Sequence, residues 1–199
     1  MKTELERTIE RSRETRETKI QLELNLDGSG EAHINPGIGF LDHMLETLTR
    51  HSQFDLKIHC QGDLDVDGHH TTEDCAIVLG EAIDTALAER RGITRFGYAY
   101  APLDEALVRT VIDLSGRPSP VIHLPLNREM IGELATENII HFFQTLAVTM
   151  KAAVHIDLIK GNNDHHKTEA AFKAFALALN QAVQLTGRDS IPSTKETLK

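Results

Sequence analysis

The chain has 199 residues, of which 30 are acidic and 21 are basic, so its formal net charge is −9 at pH 7. This length suffices for a sizeable core, and the acidic balance argues against a nucleic acid or a membrane surface as partner. No apolar run approaches the ~20 residues of a membrane span, and the charged stretch 1–16 lacks the apolar centre of a signal peptide. Cys60 and Cys75 show neither zinc-type nor redox spacing, which favours reduced thiols and a cytoplasmic protein.

The first half of the chain predicts three strands, a helix, a fourth strand and a second helix, in that order. Apolar and polar residues alternate in four stretches, as expected of half-buried strands, namely 7–13, 19–26, 31–34 and 54–58. We expect Asp42 to cap the first helix, which runs to about His51. The second helix is expected to run from His69 to Arg91, with Gly92 as its stop.

The second half repeats this order. Its strand-like stretches are 98–102, 106–114, 120–124 and 154–158. Thr136 is expected to cap a helix through about Lys151, and a last helix is expected to end at Gly187. The chain is therefore predicted to be a tandem repeat, with halves at about 1–92 and 93–187 and a tail at 188–199. We expect an α+β fold in which each half is a four-stranded sheet covered by two helices, in one compact unit.

A motif of two adjacent histidines with a glutamate three residues after the second occurs once in each half. His69 and Glu73, like His165 and Glu169, are four residues apart and so share one helix face. The second histidine of each pair points roughly 100° away. A further histidine precedes each pair by some two dozen residues on the other predicted helix. The full candidate set is His43, His69, His70, Glu73, His141, His165, His166 and Glu169.

This set of side chains points to metal binding. Imidazoles and carboxylates without a thiolate suit Mn, Fe(II), Co or Zn. The number of ligands fits two ions with about four protein ligands each, which leaves positions for a substrate. Four cations stand out as candidates for holding an anionic substrate, namely Arg95, Arg117, Lys173 and Lys195. No glycine-rich nucleotide loop and no signature of a serine or cysteine nucleophile is found.

Several longer motifs resemble those of the imidazoleglycerol-phosphate dehydratases. The resemblance covers nearly the whole chain, although Glu196 stands where the family usually has glycine. The motifs that carry it are Gly37-Ile38-Gly39-Phe40-Leu41-Asp42-His43, Asp67-Gly68-His69-His70-Thr71-Thr72-Glu73, Arg95-Phe96-Gly97, Ser115-Gly116-Arg117-Pro118, Asn163-Asp164-His165-His166-Lys167-Thr168-Glu169 and Ile191-Pro192-Ser193-Thr194-Lys195.

The resemblance implies dehydration of imidazole glycerol phosphate to imidazole acetol phosphate in histidine biosynthesis. It implies two Mn(II) ions per active site, which are bound by the eight residues above and hold the substrate as an imidazolate. Glu17 would contact the substrate and is the candidate base. The substrate phosphate would be held by Arg95, Arg117, Lys173, Ser193 and Lys195, with His51 near by. The family also implies a homo-oligomer of 24 chains built from trimers.

Two other functions are compatible with the proposed ligands. A non-catalytic metal-binding or storage protein would explain the histidines and the acidic charge, but it would not explain cations beside the ligands. The ligands alone do not distinguish a two-metal phosphohydrolase from a dehydratase. The substrate's fate separates the three, because dehydration yields a ketone, hydrolysis yields free phosphate and storage yields neither.

Overall fold

The computed structural model describes residues 7–198, which form four helices, two four-stranded sheets and one short hairpin. The elements of the first half are β1 (Thr8–Glu14), β2 (Thr18–Asn25), β3 (Ala32–Asn35), α1 (Gly39–Ser52), β4 (Asp55–Gly62) and α2 (His69–Leu87). Those of the second half are β5 (Phe96–Leu103), β6 (Ala106–Asp113), β7 (Ser119–His123), β8 (Met130–Ile131), β9 (Leu134–Ala135), α3 (Thr136–Thr149), β10 (Ala153–Lys160) and α4 (Asp164–Val183). None of these helices is long and apolar enough to cross a membrane.

The two sheets have the same topology. The strand order is β1-β2-β4-β3 in the first sheet and β5-β6-β10-β7 in the second. In each sheet the last strand is parallel to its neighbour and the other pairings are antiparallel. The predicted α+β fold of two similar halves is thus confirmed.

The four helices lie between the two sheets and pair across the halves. In each half, the two helices pack against the sheet of the same half. In addition, α1 packs against α4 and α2 packs against α3. Leu22, Leu24 and Ile58 alternate with exposed polar residues, so one face of the first sheet is apolar and covered by helices. The buried residues of both halves form one continuous hydrophobic core.

Four buried phenylalanines connect α3 and α4, the two helices of the second half, within this core. Phe142 and Phe143 on α3 contact Phe172 on α4, and Phe143 also contacts Phe175, with ring centroids 4.6–5.6 Å apart. Each side chain is buried, which contributes roughly 1.5–3 kcal/mol per residue relative to exposure. This packing fixes α3 and α4 relative to each other, and both helices carry candidate ligands.

The predicted caps of α1 and α3 were wrong in position. The N-cap of α1 is Ile38, which makes no side-chain hydrogen bond; Asp42 lies inside the first turn, and its amide already donates to the Ile38 carbonyl. Thr136 is the first helical residue of α3, and its hydroxyl donates to the carbonyls of residues 128 and 129. A partly buried aspartate or a buried threonine in the first turn resembles a cap in sequence.

Two helices also end earlier than the glycines suggested. α2 stops at Leu87, because Ala88 and Arg90 have positive φ angles of 47° and 57°. The buried Arg90 side chain donates to Asp84 and to the Met150 carbonyl, which fixes this turn. α4 ends at Val183, four residues before Gly187. The hairpin β8–β9 was not predicted, because each strand has only two residues.

Candidate metal centres

The first cluster consists of His69, Glu73 and His141. One ligand atom from each residue lies within 4.8 Å of the others. His141 Nε2 is 3.1 Å from Glu73 Oε1, and His69 Nε2 is 3.9 Å from Glu73 Oε2. The two imidazole rings stack with centroids 5.0 Å apart. Asn138, which is buried one turn before His141, places its Oδ1 atom 3.0 Å from His69 Nδ1 and so leaves Nε2 facing the cluster.

The second cluster consists of His43, His165 and Glu169, whose ligand atoms also lie within 4.8 Å of one another. His165 Nε2 is 3.3 Å and His43 Nε2 is 3.6 Å from Glu169 Oε2. The other carboxylate oxygen, Oε1, lies 2.7 Å from Lys173 Nζ. Burial alone would raise the pKa of Glu169, but the Lys173 ammonium and the neighbouring histidines hold that pKa below its usual value. Glu169 is therefore an anion that is ready to bind a cation.

Each cluster is formed by both halves of the repeat. The His-His helix of one half supplies a histidine and the glutamate, and the first helix of the other half supplies the third residue. The pairing of α2 with α3 and of α1 with α4 brings these side chains together. Sequence spacing left open whether the other half or a neighbouring chain provides this contact, and the family resemblance favoured a neighbouring chain. In the structure, the other half provides the third residue of each cluster.

His70 and His166, the second histidines of the two pairs, lie outside both clusters. His70 Nδ1 is 3.0 Å from an Asp63 oxygen, and His166 Nδ1 is 2.7 Å from Glu105 Oε2. These carboxylates raise the pKa of both histidines. The pKa of Glu105 is lowered to about 2, because the amides of residues 162 and 163 and the His166 ring all donate to it. The predicted set of eight thus forms two trios and two outlying histidines.

Glu17 lies beside His70, at the turn between β1 and β2. Its Oε1 atom is 3.8 Å from His70 Nε2, and its carbonyl accepts a hydrogen bond from the Asp63 amide. Asp74, the residue after Glu73, is buried and accepts hydrogen bonds from Arg13 Nε and the Thr18 hydroxyl. The helix that carries the first cluster is therefore tied directly to the hairpin that carries Glu17.

The cations predicted to hold a phosphate occupy two places. Lys173 lies beside the second cluster, with His51 near by: burial lowers the pKa of His51, and the charge of Lys173 lowers it further. Arg95 lies at the other end of α4, where its amide donates to the Ala182 carbonyl. Since residues 173 and 182 are nine residues apart on a helix, about 13.5 Å of helix axis separates these two places.

Arg95 joins the tail to the body of the chain. Its guanidinium forms a two-point ion pair with Asp113 at 2.7 and 3.1 Å and donates to the Pro192 carbonyl at 2.7 Å. Ser193, the next residue, accepts the Lys195 amide on its hydroxyl at 3.1 Å. Arg117 folds onto Ser115. Among residues 7–198, no hydrogen bond or ion pair connects Lys173 with Arg95, Arg117, Ser193 or Lys195.

The sequence pattern did not identify four polar residues that contact the proposed ligands or the hairpin that carries Glu17. These are Asp63, Asp74, Glu105 and Asn138, which touch His70, the Glu17 hairpin, His166 and His69, respectively. Asn138 stands three residues before His141, a spacing that places both on one helix face. Asp63 and Glu105 carry no such signal, because they come from connections at different positions in the two halves.

Known proteins match this chain along most of its length. The family model of imidazoleglycerol-phosphate dehydratase matches residues 36–179. A protein of Acinetobacter baylyi with that name is 49% identical over 195 residues, which cover 97% of this chain and 96% of the relative. One of Phytophthora nicotianae is 52% identical over 94% of this chain, which spans 41% of that protein. The crystal structure of the dehydratase of Staphylococcus aureus superposes with a TM-score of 0.82 at 38% identity, covering 90% of this chain and 99% of the other.

These matches first define a class: the chain is an enzyme of the hydro-lyase type, which removes water from its substrate. More specifically, the chain belongs to the imidazoleglycerol-phosphate dehydratase family of histidine biosynthesis. The two clusters fit a metal-dependent member of this class, because each brings imidazole and carboxylate ligand atoms within 4.8 Å of one another.

Proposed function

We propose that the chain converts imidazole glycerol phosphate to imidazole acetol phosphate and water, using two Mn(II) ions, in the cytoplasm. The observation that carries this proposal is the pair of equivalent clusters, each with two imidazoles and one carboxylate within 4.8 Å. A chance group of histidines would not recur at the same positions of both halves. The proposed catalytic unit is the whole chain, with 188–199 as a substrate-binding tail.

The proposed ligands are the two clusters together with the outlying His70 and His166. Each trio lacks the fourth protein ligand, and each outlying histidine has its Nδ1 atom occupied by a carboxylate. When bound, the two ions supply Lewis-acid charge that makes the substrate's imidazole ring a better electron reservoir. This chemistry is needed because the carbon that loses its proton has no adjacent carbonyl.

Glu17 is the proposed acceptor of that carbon-bound proton. It is half-exposed beside His70, so a substrate ring close to His70 would bring the second side-chain carbon, which carries this proton, within its reach, while the ring-bound carbon loses the hydroxyl as water. Loss of this proton and of the side-chain hydroxyl leaves an enol, which tautomerises to the ketone of the product. The contacts between Asp74 and the β1–β2 hairpin hold Glu17 in place for this step.

The substrate phosphate is proposed to bind Arg95, Arg117, Lys173, Ser193 and Lys195, with His51 near by. Lys173 is separated from the others along α4, which supports a site built by more than one chain. The outlying histidines support the same arrangement. We therefore propose a homo-oligomer of 24 chains built from trimers, in which neighbouring copies complete each site.

Incubation of the Mn-loaded protein with imidazole glycerol phosphate tests the reaction. The proposal predicts a ketone product and no release of inorganic phosphate. Free phosphate without ketone would identify a phosphohydrolase, and the absence of both products would leave a metal-binding protein. Either outcome would refute the proposed reaction.

Removal of the metal tests the proposed assembly. If ions join neighbouring copies, binding stabilises the assembled state by linkage. Chelation should then reduce the particle to a smaller species such as a trimer, and Mn(II) should restore both size and activity. Light scattering would contradict this proposal if the particle kept its full size after all metal had been removed.

A further inference from the structure

Both outlying histidines contact a carboxylate through the same ring atom. His70 Nδ1 is 3.0 and 3.2 Å from the two oxygens of Asp63, which directly follows β4. His166 Nδ1 is 2.7 Å from Glu105, which lies in the turn between β5 and β6. The two histidines are equivalent in the repeat, whereas the two carboxylates come from different connections. In both halves a carboxylate thus contacts Nδ1 of the equivalent histidine, although the two carboxylates are not at equivalent positions of the repeat.

These contacts decide which ring nitrogen can bind a metal. An ionised carboxylate can only accept hydrogen bonds, so the neutral imidazole must carry its proton on Nδ1. The Nε2 atom then presents its lone pair, as a metal ligand requires. A histidine that donates its other ring N–H to a carboxylate is the usual arrangement behind a metal site.

We infer that Asp63 and Glu105 are positioning residues, which hold His70 and His166 with Nδ1 protonated and Nε2 directed to a metal ion. This inference rests on the proposed function, since it presumes that both histidines are ligands. It adds the residues that set their tautomer and their direction.

The two carboxylates differ in a way that makes the inference testable. Glu105 Oε1 accepts the backbone amides of Asn162 and Asn163 at 3.1 and 2.8 Å, while Oε2 faces the His166 ring. In Glu105→Gln the single amide oxygen stays with the two backbone donors, so the NH₂ group turns to His166 Nδ1. Nδ1 must then accept, and the proton moves to Nε2. The substitution keeps the loop contacts but reverses the tautomer.

Asp63 has both oxygens on His70, and no backbone amide among residues 7–198 donates to either oxygen. Asp63→Asn can therefore rotate its amide oxygen to His70 Nδ1 and preserve the tautomer, whereas Asp63→Ala cannot. The expected order of damage is small for Asp63→Asn and large for both Asp63→Ala and Glu105→Gln. A role in net charge alone would make Asp63→Asn and Glu105→Gln equal.

Mn(II) affinity, measured by competition with a chelator, is the first readout. Loss of such a partner typically costs 10–100-fold in metal affinity, so Glu105→Gln and Asp63→Ala should lose that much at one of two sites. Glu31→Gln is the matched control, because Glu31 lies 2.8 Å from His33 Nε2 in an exposed pair outside both clusters. Wild-type affinity in Glu105→Gln would overturn the inference.

The second readout is the tautomer itself in the metal-free full-length chain. Solid-state ¹⁵N spectra of histidine-labelled protein at alkaline pH distinguish protonated Nδ1 from protonated Nε2, and the His166 signal is the one lost in His166→Ala. We expect the Nδ1–H form in the wild type and the Nε2–H form in Glu105→Gln. An Nε2–H wild type would refute the inference even if that variant folded poorly. Failure of wild-type protein to bind Mn(II) would instead refute the proposed function.

Discussion

Asp74 connects the helix of the first cluster to the hairpin that carries Glu17, so its replacement should affect stability and turnover together. Its buried carboxylate accepts Arg13 Nε at 2.9 Å and the Thr18 hydroxyl. In Asp74→Asn only one oxygen remains. The Thr18 hydroxyl can rotate and accept from the new NH₂ group, so the remaining oxygen still accepts from Arg13 Nε and the variant loses the charge of this ion pair.

The expected size of this effect follows from the exposure of the pair. Hydrogen bonds to charged groups contribute about 1.5–3 kcal/mol. The side chain of Arg13 is 37% exposed and that of Asp74 only 8%, so solvent screening favours the lower end. We expect the free energy of unfolding to fall by about 1.5 kcal/mol, which is roughly a tenfold change in the folding equilibrium.

Urea unfolding of the metal-free chain at fixed protein concentration measures this change. Glu81→Gln is the control, because the Glu81 carboxylate is exposed, unlike that of Asp74, and its pair with Arg11 contributes at most about 1 kcal/mol. Turnover of the Mn-loaded Asp74→Asn protein should also fall, while Glu81→Gln stays near wild type. If Asp74→Asn were no less stable and no slower than Glu81→Gln, Asp74 would not hold the hairpin.

Three further changes test other parts of the account. Glu17→Gln should lower turnover by about 10²–10⁴ with little effect on substrate binding, since the amide cannot accept a proton; near-normal turnover would exclude Glu17 as the base. Lys173→Ala should weaken inhibition by inorganic phosphate by about 10-fold or more, through loss of a charge-assisted hydrogen bond, whereas Lys57→Ala, in an exposed pair with Glu23, should not. Gly97→Ala should destabilise the chain by about 1–3 kcal/mol or more, because its Cβ atom would lie 2.8 Å from Ala178 C and 3.0 Å from Ala182 N; Gly39→Ala, which meets nothing within 4 Å, is the control.

Much of the fold could be predicted from local pattern. Ile20, Leu22 and Leu24 alternate with exposed residues, and this period is sufficient to identify β2. The repeat then predicted the second sheet from the first. Helix ends were less predictable, because α2 ends where the buried Arg90 fixes a turn with a positive φ angle. That turn depends on a contact with Met150, which is 60 residues away in the chain.

The residues of the clusters could be predicted from the sequence, but which of them come together in space could not. The spacing of His69 and Glu73 identifies two ligands on one face, whereas the position of His141 depends on how α2 packs against α3. The carboxylates behind His70 and His166 lie on loops with no periodic pattern. Only the folded chain shows that Asp63 and Glu105 reach equivalent rings from different connections.

The metal content of the purified protein tests the central claim most directly. The chain should be purified without metal, reloaded with Mn(II), freed of excess ion and analysed for manganese per chain. The account predicts close to two equivalents, with a lower value in both Glu73→Gln and His166→Ala. A wild-type value of one equivalent or less would contradict the two-metal account.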